Sequence, residues 1–309
     1  MGFIKKGNAQ FYLLFNALLW GSSYVWSKML LGYLPRFSIL SVCSLGSLIT
    51  TVIMFYPSLK TIKPGAILSS AAISILSILS NTFFMFSLQY TSSSNTAFIV
   101  QMSVILTPVI MAVIEKRMPD RKICIGAVTA MAGMFILTCD FSDFSMNPGD
   151  LLALGNALFF SLFLTALKFS SKRTDPVHFS IIHHGTNSIA FIAMAVFFEA
   201  SLVDPGRLGS LTFAALILAS IFVASATALV QSSAIKYIRP ERATIIYTFE
   251  PVAALMLAAV FIGERLDGVK SAAGFVLILA SVIISVYSPR VFNNKYLLKN
   301  NKIILINDK

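Results

Sequence analysis

The chain has 309 residues, 57% of them hydrophobic and only 12% charged, with a mean hydropathy of +0.81 and a formal net charge of +11. Soluble domains carry about 25% charged residues, so a soluble fold is excluded. The cations sit in short loops and in the tail, not on one face or interleaved with aromatics, so nucleic acid is not the expected partner.

From the N-terminus, Lys5-Lys6 and an apolar run over 11–31 imitate a signal peptide. The run is too long for a typical apolar signal core, carries Trp20 and Trp26, and lacks a small-x-small cleavage site, so it reads as a retained first membrane helix. Hydropathy then predicts ten spans, at about 11–32, 37–56, 66–88, 96–114, 123–139, 151–168, 179–199, 211–235, 243–262 and 272–288. Short loops marked by Pro35, Pro57, Lys63-Pro64, Pro119, Asn147-Pro148-Gly149, Asp175-Pro176 and Asp204-Pro205-Gly206 separate them. The expected fold is an all-α integral membrane protein. Cys43, Cys124 and Cys139 lie in or beside apolar runs without metal-like spacing and read as small core hydrophobes.

With the N-terminus placed inside, 19 of the 24 Lys and Arg residues fall on the cytoplasmic side, and Arg36, Arg207, Arg265 and Lys270 on the other. The positive-inside rule therefore predicts a multi-pass protein of the cell (inner or plasma) membrane with both termini cytoplasmic. The basic tail over 290–309, with an apolar patch at 303–306, is expected on anionic lipid.

The chain also repeats itself. Asn16-Ala17-Leu18-Leu19-Trp20-Gly21 is echoed by Asn156-Ala157-Leu158-Phe159-Phe160-Ser161, and a lysine follows each Asn by twelve residues, Lys28 and Lys168. Ser87–Tyr90 is echoed by Ala234–Tyr237, Glu115-Lys116 by Glu264-Arg265, and Gly126 by Gly274. Two copies of five spans each must cross the membrane in opposite senses, because five is odd. Such inverted repeats are a signature of transporters.

These residues resemble the drug/metabolite transporter superfamily in its EamA-type, ten-helix branch. The likeness rests on Asn16–Tyr24, Gln89–Phe98, Gly149–Phe163, and the element Glu250-Pro251 with Gly263-Glu264-Arg265; it covers about residues 9–288. The first half departs from it, with Glu115-Lys116-Arg117 where Gly-Glu-Arg is usual and no Glu-Pro before Pro108. The resemblance implies a first five-helix repeat over 1–144 and a second over 145–289. It also implies transport of small metabolites, often amino acids, by alternating access.

Within the spans, polar residues recur at i, i+4, i+7 and must face other helices or a cavity. Span 1 carries Asn16, Trp20, Ser23 and Ser27; span 3 carries Ser70, Ser74, Ser77 and Asn81; span 7 carries Ser180, His183 and Asn187; span 8 carries Ser220, Thr227 and Gln231. Gln101 stands in span 4, and Tyr247 and Glu250 in span 9. Trp20, Ser23, Asn81, Gln101, His183, Gln231, Tyr247 and Glu250 are the candidate substrate-binding residues. Helix packing accounts equally well for much of the Ser and Thr pattern, and interhelical hydrogen bonding for Asn81, Gln101 and Gln231. His183 and His184 lack a nearby acid and do not read as a metal site. Lys28 and Lys168 stand near their helices' C-terminal ends, where snorkelling and the helix dipole would account for both.

Glu250 is the sharpest candidate. An ionised carboxylate at membrane depth costs roughly 2.5–3.5 kcal/mol, so it is expected to be partnered, protonated or in a wet cavity. There it can exchange a proton, hold a substrate's ammonium group, or bond a neighbouring helix. Pro251 obstructs the carbonyl one turn back, near Tyr247.

The function these features imply is secondary active transport of a small metabolite, such as an amino acid or a related compound, with export the expected direction. A multidrug or cationic-compound exporter is the alternative. No P-loop is present to use ATP. No paired aspartates, Ser-His dyad or His/Glu ligand set supports an intramembrane enzyme, and no filter-like loop supports a channel. The expected partners are a small-molecule substrate and the lipid bilayer, with a proton as possible coupling ion. No cofactor or metal is expected, and the oligomeric state stays open.

Overall fold

A computed structural model describes residues 4–91, 93–138, 147–261, 268–286, 296–299 and 302–305. Cys139, the Gly263-Glu264-Arg265 element and much of the tail lie outside them. Through residue 286 the described chain is helical: α1 (Ala9–Leu30), α2 (Arg36–Met54), α3 (Pro64–Tyr90), α4 (Ser93–Val100), α5 (Ser103–Glu115), α6 (Arg121–Thr138), α7 (Pro148–Ser170), α8 (Pro176–Glu199), α9 (Leu211–Ala234), α10 (Pro240–Tyr247), α11 (Glu250–Phe261) and α12 (Gly268–Val286). In the tail, β1 (Tyr296–Lys299) pairs antiparallel with β2 (Lys302–Leu305), so the apolar patch at 303–305 lies in a strand. Among the described residues, seven helical stretches are long and apolar enough to cross a membrane: α2, α3, Thr96–Glu115, α7, Pro176–Leu202, α9 and Pro240–Phe261.

The helix starts follow from local chemistry. Proline opens α3, α7, α8 and α10, where its missing amide costs no internal bond. At α7 a capping box joins Asn147 and Asp150, each side chain accepting the other's backbone amide.

Two of the expected spans are each split in two. The span at 96–114 breaks at Gln101-Met102, where the amides of Gln101, Met102, Val104 and Ile105 bond three residues back rather than four. The span at 243–262 breaks at Thr248-Phe249, whose amides bond Ile245 and Ile246 at 3.2 Å. Pro251, in the first turn of α11, has no amide to offer the Tyr247 carbonyl, so the ladder ends there and a new helix begins.

Helices distant in the chain pair with one another. α1 packs on α9 as α7 packs on α3; α2 lies on α8, and α6 on α12. Close approach is built from small residues. A Cβ at Gly21 of α1 would stand 2.4 Å from the Glu250 carbonyl oxygen in α11, and one at Gly133 of α6 would stand 2.9 Å from the Gly274 carbonyl oxygen in α12. Polarity is turned inside out relative to a soluble bundle. Phe11, Ile53, Leu68, Val113, Ile189, Phe197, Leu218 and Val260 are exposed, while Asn16, Ser47, Ser70, Ser74, Gln101 and Thr107 are buried. A bilayer is the solvent that rewards this arrangement.

Lys28 Nζ donates to the Leu88 carbonyl at the end of α3 over 2.6 Å, and Lys168 Nζ to the Ile235 and Lys236 carbonyls after α9 at 2.7 and 2.9 Å. Each ammonium thus caps a neighbouring helix, at corresponding positions in the two halves, instead of reaching for the interface along its own.

Candidate functional site

Midway through the bundle the polar stripes surround a cavity of about 210 Å³. α1 contributes Trp20, Ser23 and Tyr24; α3 contributes Ser77, Ser80, Asn81 and Phe84; α7 contributes Asn156, Phe160 and Phe163; α8 contributes His183, His184, Asn187 and Phe191. α9 adds Ala224, Thr227, Ala228 and Gln231, and the two helix breaks add Gln101 and Glu250. Of the eight expected residues, seven stand in this wall.

Tyr247 is the exception. It is fully buried behind the wall, its hydroxyl accepting from Gln231 Nε2 at 3.2 Å and Asn16 Nδ2 at 3.4 Å. Its ring lies 5.1 Å from that of Trp20, which in turn meets Phe160 edge-on at 5.3 Å. Tyr247 therefore fixes Gln231 and Trp20 rather than facing the cavity.

Glu250 sits where α11 begins. Its Oε2 accepts from Gln101 Nε2 at 3.1 Å and from the Tyr24 hydroxyl at 3.4 Å. Gln101 occupies the break between α4 and α5, so one hydrogen bond joins the two interruptions. A broken helix frees backbone groups and admits a polar side chain at membrane depth, and transporters build sites at such breaks.

Around this acid the other polar groups differ in how fully they are used. Ser23 Oγ returns to the Trp20 carbonyl at 2.7 Å, so its hydroxyl proton is committed to its own helix. Asn81 Nδ2 donates to Ser77 Oγ at 3.1 Å. His183 is held at both ring nitrogens, by Ser74 Oγ at 3.0 Å and Asn187 Nδ2 at 3.3 Å, and stacks on Phe179 with ring centroids 5.4 Å apart. By contrast, Gln101 Oε1, Asn156 Oδ1, Asn187 Oδ1 and His184 Nε2 are buried with no hydrogen-bond partner in the protein. Buried polar atoms are ordinarily satisfied, so four unpaired ones around one cavity mark a place for a ligand or for water.

Tyr24, Ser80, Asn156, Phe160 and His184 were not among the expected site residues. Tyr24 lies one turn beyond Trp20 on the same helix face, and Asn156 and Phe160 are the repeat equivalents of Asn16 and Trp20, so the spacing and the repeat held the signal for three of them. No group of three or more His, Cys, Asp or Glu residues among the described residues has metal-binding geometry.

A cluster of charges joins α5 to α10 at one end of the bundle. Arg239, just before α10, pairs with Glu241 at 2.6 Å and with Glu115 at the end of α5 at 2.9 Å; Arg117 also contacts Glu115. Burial works against the Arg239 charge, but the hydrogen bonds and charges of Glu241 and Glu115 outweigh it and hold the guanidinium above its ordinary pKa. At the start of α2, Glu199 accepts the Ser38 amide at 2.9 Å and stands 3.5 Å from Arg36, giving that helix the N-terminal cap Pro35 does not supply.

Comparison with known proteins places this architecture. The EamA-like transporter family matches residues 8–139 and again 147–287. A protein of Archaeoglobus fulgidus described as an uncharacterized transporter is 26% identical over 284 residues, covering 91% of this chain and 87% of its own length. A crystal structure whose description names no activity superposes with a TM-score of 0.72 at 16% identity, covering 91% of this chain and 98% of that one, a likeness of fold.

Proposed function

The chain belongs to the EamA-like transporter family, and on that premise we propose that it is a secondary active transporter that exports a small metabolite, such as an amino acid or a related compound, by alternating access about the central cavity. The observation that carries this reading is the meeting of both broken helices, through Gln101 and Glu250, in the wall of a polar cavity contributed by both halves of the chain. We read residues 1–144 and 145–289 as two five-helix repeats of opposite orientation, giving ten transmembrane helices. The exchange of partners between α1–α9 and α7–α3 supports this, as does the double family match. In such a bundle the two ends open in turn because the halves can swap conformations.

The cationic loops support a cell-membrane location with both termini cytoplasmic, which would put the Glu115–Arg239–Glu241 cluster at the inner end. That cluster must part when the cavity faces the cytoplasm. Family membership and the absence of a convergent catalytic set in the sequence favour a transporter over an enzyme. The cavity's size favours a small metabolite over a bulky drug. Its volume of about 210 Å³ lies below the roughly 300–1,000 Å³ of drug-sized pockets. Glu250 is the group placed to exchange a proton as the coupling ion.

The test is counterflow in proteoliposomes. Vesicles preloaded with unlabelled solute should transiently concentrate labelled solute, and a channel would not. Absence of counterflow across amino acids, amines and common organic cations would remove the carrier reading.

A further inference from the structure

Building on that transport reading, we propose that the cavity selects a small solute of net positive charge, an amine without a free carboxylate, over a zwitterion or an anion of the same shape. Several buried polar atoms of the wall lack partners. Asn156 Nδ2 donates to the Ser80 carbonyl at 2.8 Å and to Ser80 Oγ at 2.9 Å, and a carbonyl can only accept, so the amide orientation is fixed with Oδ1 left over. Gln101 gives its nitrogen to Glu250 and likewise keeps Oε1 unpaired; Asn187 turns its nitrogen to His183 and keeps Oδ1. Each of these side chains is more than nine-tenths buried.

The unpaired groups of the wall that an entering ligand could draw on are thus mostly acceptors: three amide oxygens, with the Glu250 carboxyl group beside them and the imidazole of His184 as the remaining unpaired group. Among the described residues lining the cavity, none is Lys or Arg. A ligand carboxylate would find no cation, and burying an unpaired charge is costly. An ammonium group brings three donors and a positive charge to four acceptors, and the faces of Trp20 and Phe160 add attraction for a cation. The apolar part of the solute would lie against the same rings.

An isosteric series tests this. Valine amide, valine and 2-hydroxyisovalerate share a branched carbon frame and differ in net charge, positive, zero and negative at neutral pH. Binding to the full-length protein in nanodiscs is read by thermal stabilisation, and transport by counterflow in proteoliposomes. The expected order is valine amide about tenfold or more tighter than valine, with the hydroxy acid not bound. Glu250→Gln should reduce the preference for valine amide at least about tenfold, the factor that 1.4 kcal/mol represents. Should that variant fail to fold, Asn187→Asp serves instead: it replaces the Nδ2 donor facing His183 with a carboxylate to which His183 Nε2–H can donate, adds negative charge to the wall, and should tighten valine amide. Equal or tighter binding of valine, or no binding of valine amide, overturns the proposal. Counterflow of any other solute in the same vesicles would then leave the transport reading standing, whereas its absence across the whole panel would remove both.

Discussion

Gln101 Nε2 lies 3.1 Å from Glu250 Oε2, and this contact bridges the two points at which a spanning helix is interrupted. The residues come from opposite halves of the chain, 149 positions apart. A movement of one half against the other must stretch or break the bond, which couples the acid's surroundings to the state of the bundle.

Glu250→Gln keeps the side chain's shape and its ability to accept from Gln101 and Tyr24, but removes its exchangeable charge. The expected outcome is a folded protein whose transport no longer varies with pH and falls by more than about tenfold, at least 1.4 kcal/mol of lost stabilisation. Rates measured across pH check this; a profile like that of the unaltered protein would remove the coupling role. Tyr24, His183 and His184 also line the cavity, so the comparison is made at each pH against the unaltered chain.

Asn81→Leu and Gln101→Leu separate lining from packing. Both should weaken transport, and Gln101→Leu more, because it also strips Glu250 of a donor and leaves that oxygen short of a partner. Wild-type kinetics in either variant would return that residue to a packing role.

Gly21→Ala tests the contact between α1 and the start of α11. The added methyl would sit 2.4 Å from a backbone carbonyl oxygen and 2.5 Å from Ala253 Cβ, neither of which can rotate away. A destabilisation of about 1–3 kcal/mol is expected, with loss of the Tyr24–Glu250 bond. Gly46→Ala is the comparison: its new methyl meets only side-chain atoms of Ile221, Cδ1 at 2.3 Å and Cγ1 at 2.6 Å, which can shift where a backbone carbonyl cannot, so its melting temperature should fall less.

Lys168→Met removes the donor that caps α9 while keeping most of the buried stem. A loss of about 1.5–3 kcal/mol is expected from hydrogen bonds to a charged group, and Lys28→Met should show a similar loss at the end of α3. Thermal unfolding in detergent checks both; a change in transport with no change in stability would point instead to a role in the cycle.

Much of this was legible in the sequence because a spanning helix leaves its polar residues few places to go. Spacing of three, four or seven put Trp20, Asn81, His183 and Gln231 on inward faces, and the cavity lies where those faces meet. Pro251 announced the second helix break. Nothing in residues 96–105 announced the first, since that stretch contains neither proline nor glycine; only packing of the two halves reveals it. The same limit applies to the lysines. Their equivalence could be read from the repeat, but the carbonyls they cap belong to helices about 60 and 67 residues further along. Tyr247 was misplaced for a related reason. Its position beside the break was evident, but whether an inward tyrosine faces the cavity or backs the wall depends on Asn16 and Gln231, which reach its hydroxyl from other helices.

The central claim is that the two halves part and close alternately at opposite ends of the cavity. Its most direct test is a thiol cross-link between α5 and α10 at the charged end, using Glu115→Cys with Arg239→Cys in a chain whose native cysteines are replaced. Transport is measured before cross-linking, after it, and after reduction. The account predicts that the link abolishes counterflow and that reduction restores it. Counterflow continuing at its original rate with that end locked shut would contradict it.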